Sequence, residues 1–200
     1  LTDCWIFNLM LNLIQMVIIG ITGTIGAGKG TVVDYLVKNK GFKHFSARGL
    51  IVEEIEKRGL ENNRDSMVVV ANDLREKFGS GYVAEELFKR AEKSDENAVI
   101  ESLRTVGEIE TLQKKGKFVL LAVDADSKIR YERVSVRGTS TDNVSFEKFL
   151  ADEEKEMTST DPNKQNLKKC IEMADFKIEN NGTIEELNSK IEEILKLINN

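Results

Sequence analysis

Between the apolar run Met16-Val17-Ile18-Ile19-Gly20-Ile21 and a helical pattern at Val32, Val33, Leu36 and Val37 stands Gly23-Thr24-Ile25-Gly26-Ala27-Gly28-Lys29-Gly30-Thr31. No other stretch narrows the possible folds so far. A β-branched strand that runs into a glycine-rich turn and then a helix is the setting in which a backbone wraps a phosphate. The glycines let successive N–H groups turn inward as an anion nest. The helix that follows adds roughly +0.5 of an elementary charge at its N-terminus, and Lys29 brings a full charge to the outer phosphates. The loop is therefore expected to hold phosphates through the backbone of Gly23, Thr24, Ile25, Gly26, Ala27, Gly28 and Gly30. The commonest form of this loop puts a hydroxyl directly after the lysine. Here Gly30 intervenes, and Thr31 reads as a contact to phosphate or to a metal-bound water.

A chain of 200 residues, 40% apolar and 32% charged with one proline, suits a single domain with a sizeable core. The net charge of −5 argues against a nucleic-acid binder. It leaves room for a local positive pocket. Cys4 and Cys170 give neither a metal spacing nor a disulfide framework, which points to a reducing, cytoplasmic setting. Residues 1–15, LTDCWIFNLMLNLIQ, carry no basic n-region and no small-residue cleavage site. They are short for a membrane span and include Asn8, Asn12 and Gln15. They are expected to be a non-native or disordered extension (a translated leader or a start-site error) upstream of a domain spanning 16–200, the rival being a membrane tether.

Asn39-Lys40-Gly41 ends the first helix, and Phe42-Lys43-His44-Phe45-Ser46 reads as a short strand. His44, the only histidine, is read as an ordinary strand residue rather than a general base. Three helical patterns follow without a strand: residues 47–58, a second one N-capped by Asp65 and reaching Phe78, and residues 82–93. Such an insert suits an acceptor-binding region, about 47–93, in which Arg48, Arg58, Arg64 and Arg75 could together clamp an anion. Residues 97–101 form a buried strand ending in Glu101, and Thr105 with Glu108 spells a capping box. In an open α/β sheet, ligands bind beyond the carboxyl ends of the strands. Glu101 is thus a candidate for Mg²⁺-water binding and for polarising an acceptor, while Arg104 could reach a transferred or acceptor phosphate.

Residues 118–123 read as a strand buried on both faces. Asp126 is expected to cap a helix over 127–137, which carries Arg130, Arg133 and Arg137, the last two four apart on one face. A polar break at 138–143 precedes a charged helix over 146–157 with few core positions. That stretch, about 138–157, reads either as a mobile lid or as a plain surface helix. Asp161-Pro162 reads as a helix start, residues 174–179 as the last strand, and Thr183 with Glu186 as a second capping box. The final helix shows an apolar stripe at Ile184, Leu187, Ile191, Ile194, Leu195 and Ile198.

The spelling Gly-x-x-Gly-x-Gly-Lys-Gly-Thr over 23–31 resembles adenylate kinases and related nucleoside monophosphate kinases. From Met16 onward the chain resembles the P-loop kinases that include these and dephospho-CoA kinase. Glu101-Ser102-Leu103-Arg104 is similar to the Asp-Gly-x-Arg stretch of nucleotide kinases, with Glu for Asp. Residues 174–183 are similar to the last strand and turn of dephospho-CoA kinases, and Arg133 and Arg137 match lid-side arginines. The resemblance implies an α/β P-loop NTPase sandwich with a five-stranded parallel sheet in the order 2-3-1-4-5. It implies ATP with Mg²⁺, the metal held largely through waters near Thr31 and Glu101. Arg133 and the backbone of Asn181 and Gly182 would lie at the nucleotide, and Lys29, Glu101, Arg104 and Arg137 would serve transfer to a small nucleotide-like acceptor, a nucleoside monophosphate first. The protein would be a monomer or weak homo-oligomer. Two departures leave the acceptor open: Phe45-Ser46-Ala47-Arg48 lacks the aspartate of dephospho-CoA kinases, and Val52 stands where monophosphate kinases usually have arginine. Dephospho-CoA kinase and an ATP-binding regulatory module without phosphotransfer are the alternatives.

Overall fold

The computed structural model describes residues 16–116, 118–137 and 144–198; the expectations for residues 1–15 and for the break at 138–143 lie outside the described residues. Strand β1 (Ile18–Gly23) is buried along its whole length. It pairs in parallel with β3 (Ala98–Glu101) on one side and β4 (Phe118–Asp124) on the other. Outside these lie β2 (Lys43–Ser46) and β5 (Phe176–Glu179), again parallel. The order 2-3-1-4-5 is the one the resemblance implied.

Parallel neighbours cannot be joined by hairpins, so each connection crosses a face of the sheet. Helix α1 (Lys29–Lys40) links β1 to β2; α2 (Ala47–Lys57), α3 (Arg64–Phe78) and α4 (Tyr82–Ser94) lie between β2 and β3. Helix α5 (Val106–Gln113) leads to β4, while α6 (Ser127–Arg137), α7 (Phe146–Met157) and α8 (Leu167–Glu172) lead to β5, and α9 (Ile184–Ile198) closes the chain. Strand alternation sorts the core in two. Ile19, Ile21, Val99, Leu121, Val123 and Ile178 meet α1 and α9, and Ile18, Ala98, Ile100 and Leu120 meet α2 to α5 and Cys170 of α8. Each fully buried aliphatic side chain contributes about 1.5–3 kcal/mol, which is why all the central strands read as unbroken apolar runs. No helix among the described residues is long and apolar enough to cross a membrane.

Three expected boundaries move. Asn63, not Asp65, caps α3, its side chain accepting from the N–H of Ser66 at 2.9 Å. Asp65 sits in the first turn, where its charge still favours the helix N-terminus. Asp161-Pro162 starts no helix: the Asp161 carboxylate accepts from the N–H of Asn163 at 2.9 Å, making a turn, and α8 begins at Leu167 under an Asn166 cap. The strand expected over 174–179 pairs only from Phe176. Both capping boxes form as read: Thr105 with Glu108, and Thr183 with Glu186.

The first box does more than cap. Glu108 is fully buried; one carboxylate oxygen accepts the N–H groups of Arg104 at 2.8 Å and Thr105 at 3.1 Å, and the other accepts from Arg75 of α3 at 3.0 Å. A buried carboxylate is tolerated only when paired in this way. Its charge, after burial itself, helps push the neighbouring Cys170 thiol up to about 12. Arg75 is thereby withdrawn from any anion clamp and ties α3 to the turn that carries Arg104. Arg75→Met is expected to cost about 3–5 kcal/mol in urea unfolding, and a loss below ~1 kcal/mol would show that the pair contributes nothing beyond a surface bridge.

Candidate functional site

The glycine-rich loop leaves the carboxyl end of β1 in a conformation that few side chains would permit. Gly23 has φ 132°, and a Cβ there would collide with the Val123 carbonyl of β4. Gly28, the N-cap of α1, has φ 98° and offers no side-chain oxygen, so the first N–H groups of the helix stay available to an anion.

What turns those N–H groups inward is the fate of the carbonyls. Lys29 Nζ donates to the carbonyls of Gly23 at 2.8 Å and Thr24 at 2.6 Å. Arg130 of α6 donates to Ile25 O at 3.3 Å, and Asn180, at the end of β5, donates through Nδ2 to Ala27 O at 2.8 Å. The Thr24 hydroxyl donates to Asp124 at the end of β4, 2.5 Å away. With these acceptors engaged, and Ala27 N–H bonded to Thr24 O at 3.4 Å within the loop, the other loop N–H groups are the donors that remain for an anion.

Lys29 is pulled two ways. Burial, and next the nearby Arg104, lower its ammonium from 10.5 to about 8, opposed by Glu101 and Glu156. Glu101 ends β3, opposite Ile21 of β1 and Ser46 of β2 in register. Its carboxylate accepts from His44 Nε2 at 3.0 Å. The histidine read as an ordinary strand residue thus touches the carboxylate expected at the metal. The next residue, Ser102, stands where the resembled stretch has glycine and takes φ 73°, a left-handed conformation costly for a side chain. The turn is held by Leu103, whose N–H donates to Ile21 O at 3.2 Å and whose carbonyl accepts the Thr22 hydroxyl at 2.8 Å.

Other expected residues divide. Arg104 reaches Glu156 of α7 at 3.4 Å and Gln165 at 3.2 Å. Arg133 buries Nη1 with no hydrogen-bond partner among the described residues, and Arg137 is exposed in the last turn of α6. Asn181 accepts the N–H of Asp126 at 2.8 Å, fixing the turn after β5 against the turn after β4; the loop contact belongs to Asn180, which sequence reading passed over. Thr31 lies half-buried in the first turn of α1, and a Cβ at Gly30 would meet open space among the described residues. Of the four arginines proposed as an anion clamp, Arg58 pairs with Glu54 and Asp73, Arg75 is buried, Arg48 is exposed, and the Arg64 side chain lies outside the described residues. Asp124 and Arg130 were missed as loop supports; a polar residue just after an apolar strand was the only available signal.

These features fit a nucleoside triphosphate: donors turned inward, an ammonium whose charge burial penalises, and a buried guanidinium nitrogen in need of an acceptor. For Mg²⁺ the residues expected from the sequence, Thr31 and Glu101, carry hard oxygens, and the Glu101 carboxylate is engaged by His44 at 3.0 Å. The described residues include no group of three or more His, Cys, Asp or Glu able to hold a metal alone, so phosphate oxygens and water would complete its shell.

The AAA domain family model matches residues 19–161. A UPF0200 protein of Sulfurisphaera tokodaii is 33% identical over 181 residues, covering 90% of this chain and 97% of its own length. Among solved structures, shikimate kinase from Aquifex aeolicus superposes with a TM-score of 0.51 at 18% identity, over 90% of this chain and 96% of that one. A gluconokinase from Sinorhizobium meliloti gives 0.55 at 14%, over 91% and 93%. At such identities the likeness is one of fold, that of P-loop kinases.

A polyphosphate that meets Lys29 favours its charged form. Binding at about pH 8.5 is therefore expected to take up protons, and affinity to fall as pH rises through about 8. Calorimetry of MgATP in two buffers of different ionisation heat reads the uptake, and identical heats would refute it.

Proposed function

The chain belongs to the UPF0200 family and to the AAA domain family, and from that premise we propose that it is an ATP-dependent phosphotransferase for a small, nucleotide-like acceptor. The observation that supports this is the pinned loop: its carbonyls at Gly23, Thr24, Ile25 and Ala27 are occupied by Lys29, Arg130 and Asn180, so that, Ala27 N–H apart, its N–H groups and the remaining N–H of the Lys29 ammonium are left for a triphosphate tail. In this reading the backbone of residues 23–30 and Lys29 hold the β- and γ-phosphates, so that charge developing on the transferred group meets donors already in place. Arg104, Arg133 and Arg137 add positive charge around that group, and Asn181 and Gly182 border the base. Mg²⁺, bound through water to Thr31 and Glu101, supplies further neutralisation of the phosphates. Residues of about 47–93 form the acceptor side, and α7, the described part of the expected lid, covers the phosphates.

A nucleoside monophosphate is the first acceptor to test, with Arg48 and Arg104 as its available cations. Dephospho-CoA is the second reading, and one observation favours it. Two of the four arginines proposed to grip an acceptor phosphate are spent on Glu54, Asp73 and Glu108, while the His44–Glu101 pair sets a carboxylate at the β2–β3 edge. That pair suits a hydroxyl acceptor, which must lose a proton, better than a phosphate anion, which need not. The kinases of similar fold are named for shikimate and gluconate rather than for a nucleotide.

A coupled ADP-release assay over nucleoside monophosphates and dephospho-CoA separates these readings. Acceptor-independent ATP binding with no stimulated release would instead mark a regulatory module. Lys29→Ala is expected to leave the melting transition in place and lower turnover at least about a hundredfold, and near-normal turnover would overturn the assignment.

A further inference from the structure

Two carboxylates one turn apart on α7, Glu153 and Glu156, meet two arginines beside the phosphate loop, and they are held in different ways. Glu153 grips Arg130 with both oxygens, the side chains being 12% and 7% exposed. Arg130 also donates to Ala125 O at 2.7 Å and Ile25 O, and it lies over the Phe149 ring, 5.7 Å from its centroid. Phe149 packs edge-on against Tyr131 at 5.6 Å. This pair belongs to the wall of the loop, since parting it would strand two buried charges.

Glu156 is placed otherwise. It reaches Arg104 Nη1 at 3.4 Å, with Glu156 26% and Arg104 37% exposed, and the same nitrogen also donates to Gln165 at 3.2 Å. Such a long, half-solvated contact gives up little when it parts. Both groups lie within electrostatic reach of the Lys29 ammonium, Arg104 disfavouring its charge and Glu156 favouring it. A polyphosphate drawn to Lys29 therefore meets an attractive arginine and a repulsive glutamate together. Its oxygens can accept from a guanidinium two at a time, which a 3.4 Å single contact does not match.

We propose that Glu156 is the internal counter-anion of Arg104, displaced when phosphate arrives, and that it sets the affinity of the loop for polyphosphate; this rests on the phosphate-binding reading above. Arg104 is then handed over to the ligand, while Glu153 stays on Arg130 and keeps α7 against the loop. Glu156 acts through Arg104 and need not touch the ligand.

The probe is inorganic tripolyphosphate, titrated by calorimetry at low ionic strength into wild type, Glu156→Gln and Glu154→Gln, with MgATP in parallel. Glu154 is exposed on the same helix, so its variant removes an equal charge elsewhere. Glu156→Gln is expected to bind about twofold to fivefold more tightly, and Glu154→Gln to match wild type. An unchanged or weaker affinity in Glu156→Gln, or an equal gain in Glu154→Gln, overturns the proposal. Wild type that binds neither probe overturns the phosphate-binding reading itself.

Discussion

A backbone loop can offer its N–H groups to an anion only if its carbonyls are satisfied elsewhere, because a buried acceptor left without a donor costs about 1–3 kcal/mol. That constraint organises this molecule. The donors come from separate places in the chain: Lys29 from the first turn of α1, Arg130 from α6, and Asn180 from the end of β5. Asp124, at the end of β4, anchors the Thr24 hydroxyl. The parallel sheet brings them together, since all five strands deliver their carboxyl ends to one edge. The core on both faces of the sheet fixes that edge, and the loop inherits its rigidity.

Charge around the loop is arranged by burial. Where a pair is buried, as with Arg75–Glu108 and Arg130–Glu153, it works as framework, joining α3 to the Arg104 turn and α7 to the loop. Exposed arginines can change partner. Arg104 stands between these cases: Glu108 holds its backbone N–H, while its side chain sits loosely between α7 and Gln165. A residue anchored by its main chain and only weakly held at its guanidinium can meet a ligand without disturbing the fold. The same sorting bears on the acceptor side, where Arg58 and Arg75 were expected among the anion-binding groups: Arg75 is withdrawn into a buried pair, while exposed Arg58 holds Glu54 and Asp73 at the surface.

Much of this was legible in the amino-acid sequence because it rests on local rules. The strand–loop–helix around Lys29, both capping boxes, the apolar strands and the stripe of α9 follow from spacing and backbone preference over a few residues. The sheet order came from resemblance, and the registers bear it out. What was misjudged locally was a choice between near-equivalent signals, Asn63 against Asp65 for one cap and a turn against a helix start at Pro162. Either residue of the first pair can cap, and proline serves both turns and first helical positions.

The sequence by itself determined that a glycine-rich bend would follow a buried strand and that a lysine would stand at the start of the next helix, since those depend on φ preferences and on neighbours within one turn. Tertiary structure alone decided which side chains hold that bend open and which cations remain for a ligand. Asn180 is 153 residues from Ala27, Glu108 is 33 from Arg75, and His44 is 57 from Glu101. Contacts over such separations arise from the packing of whole elements, and hydrophobic periodicity carries no information about where a polar side chain will find its partner.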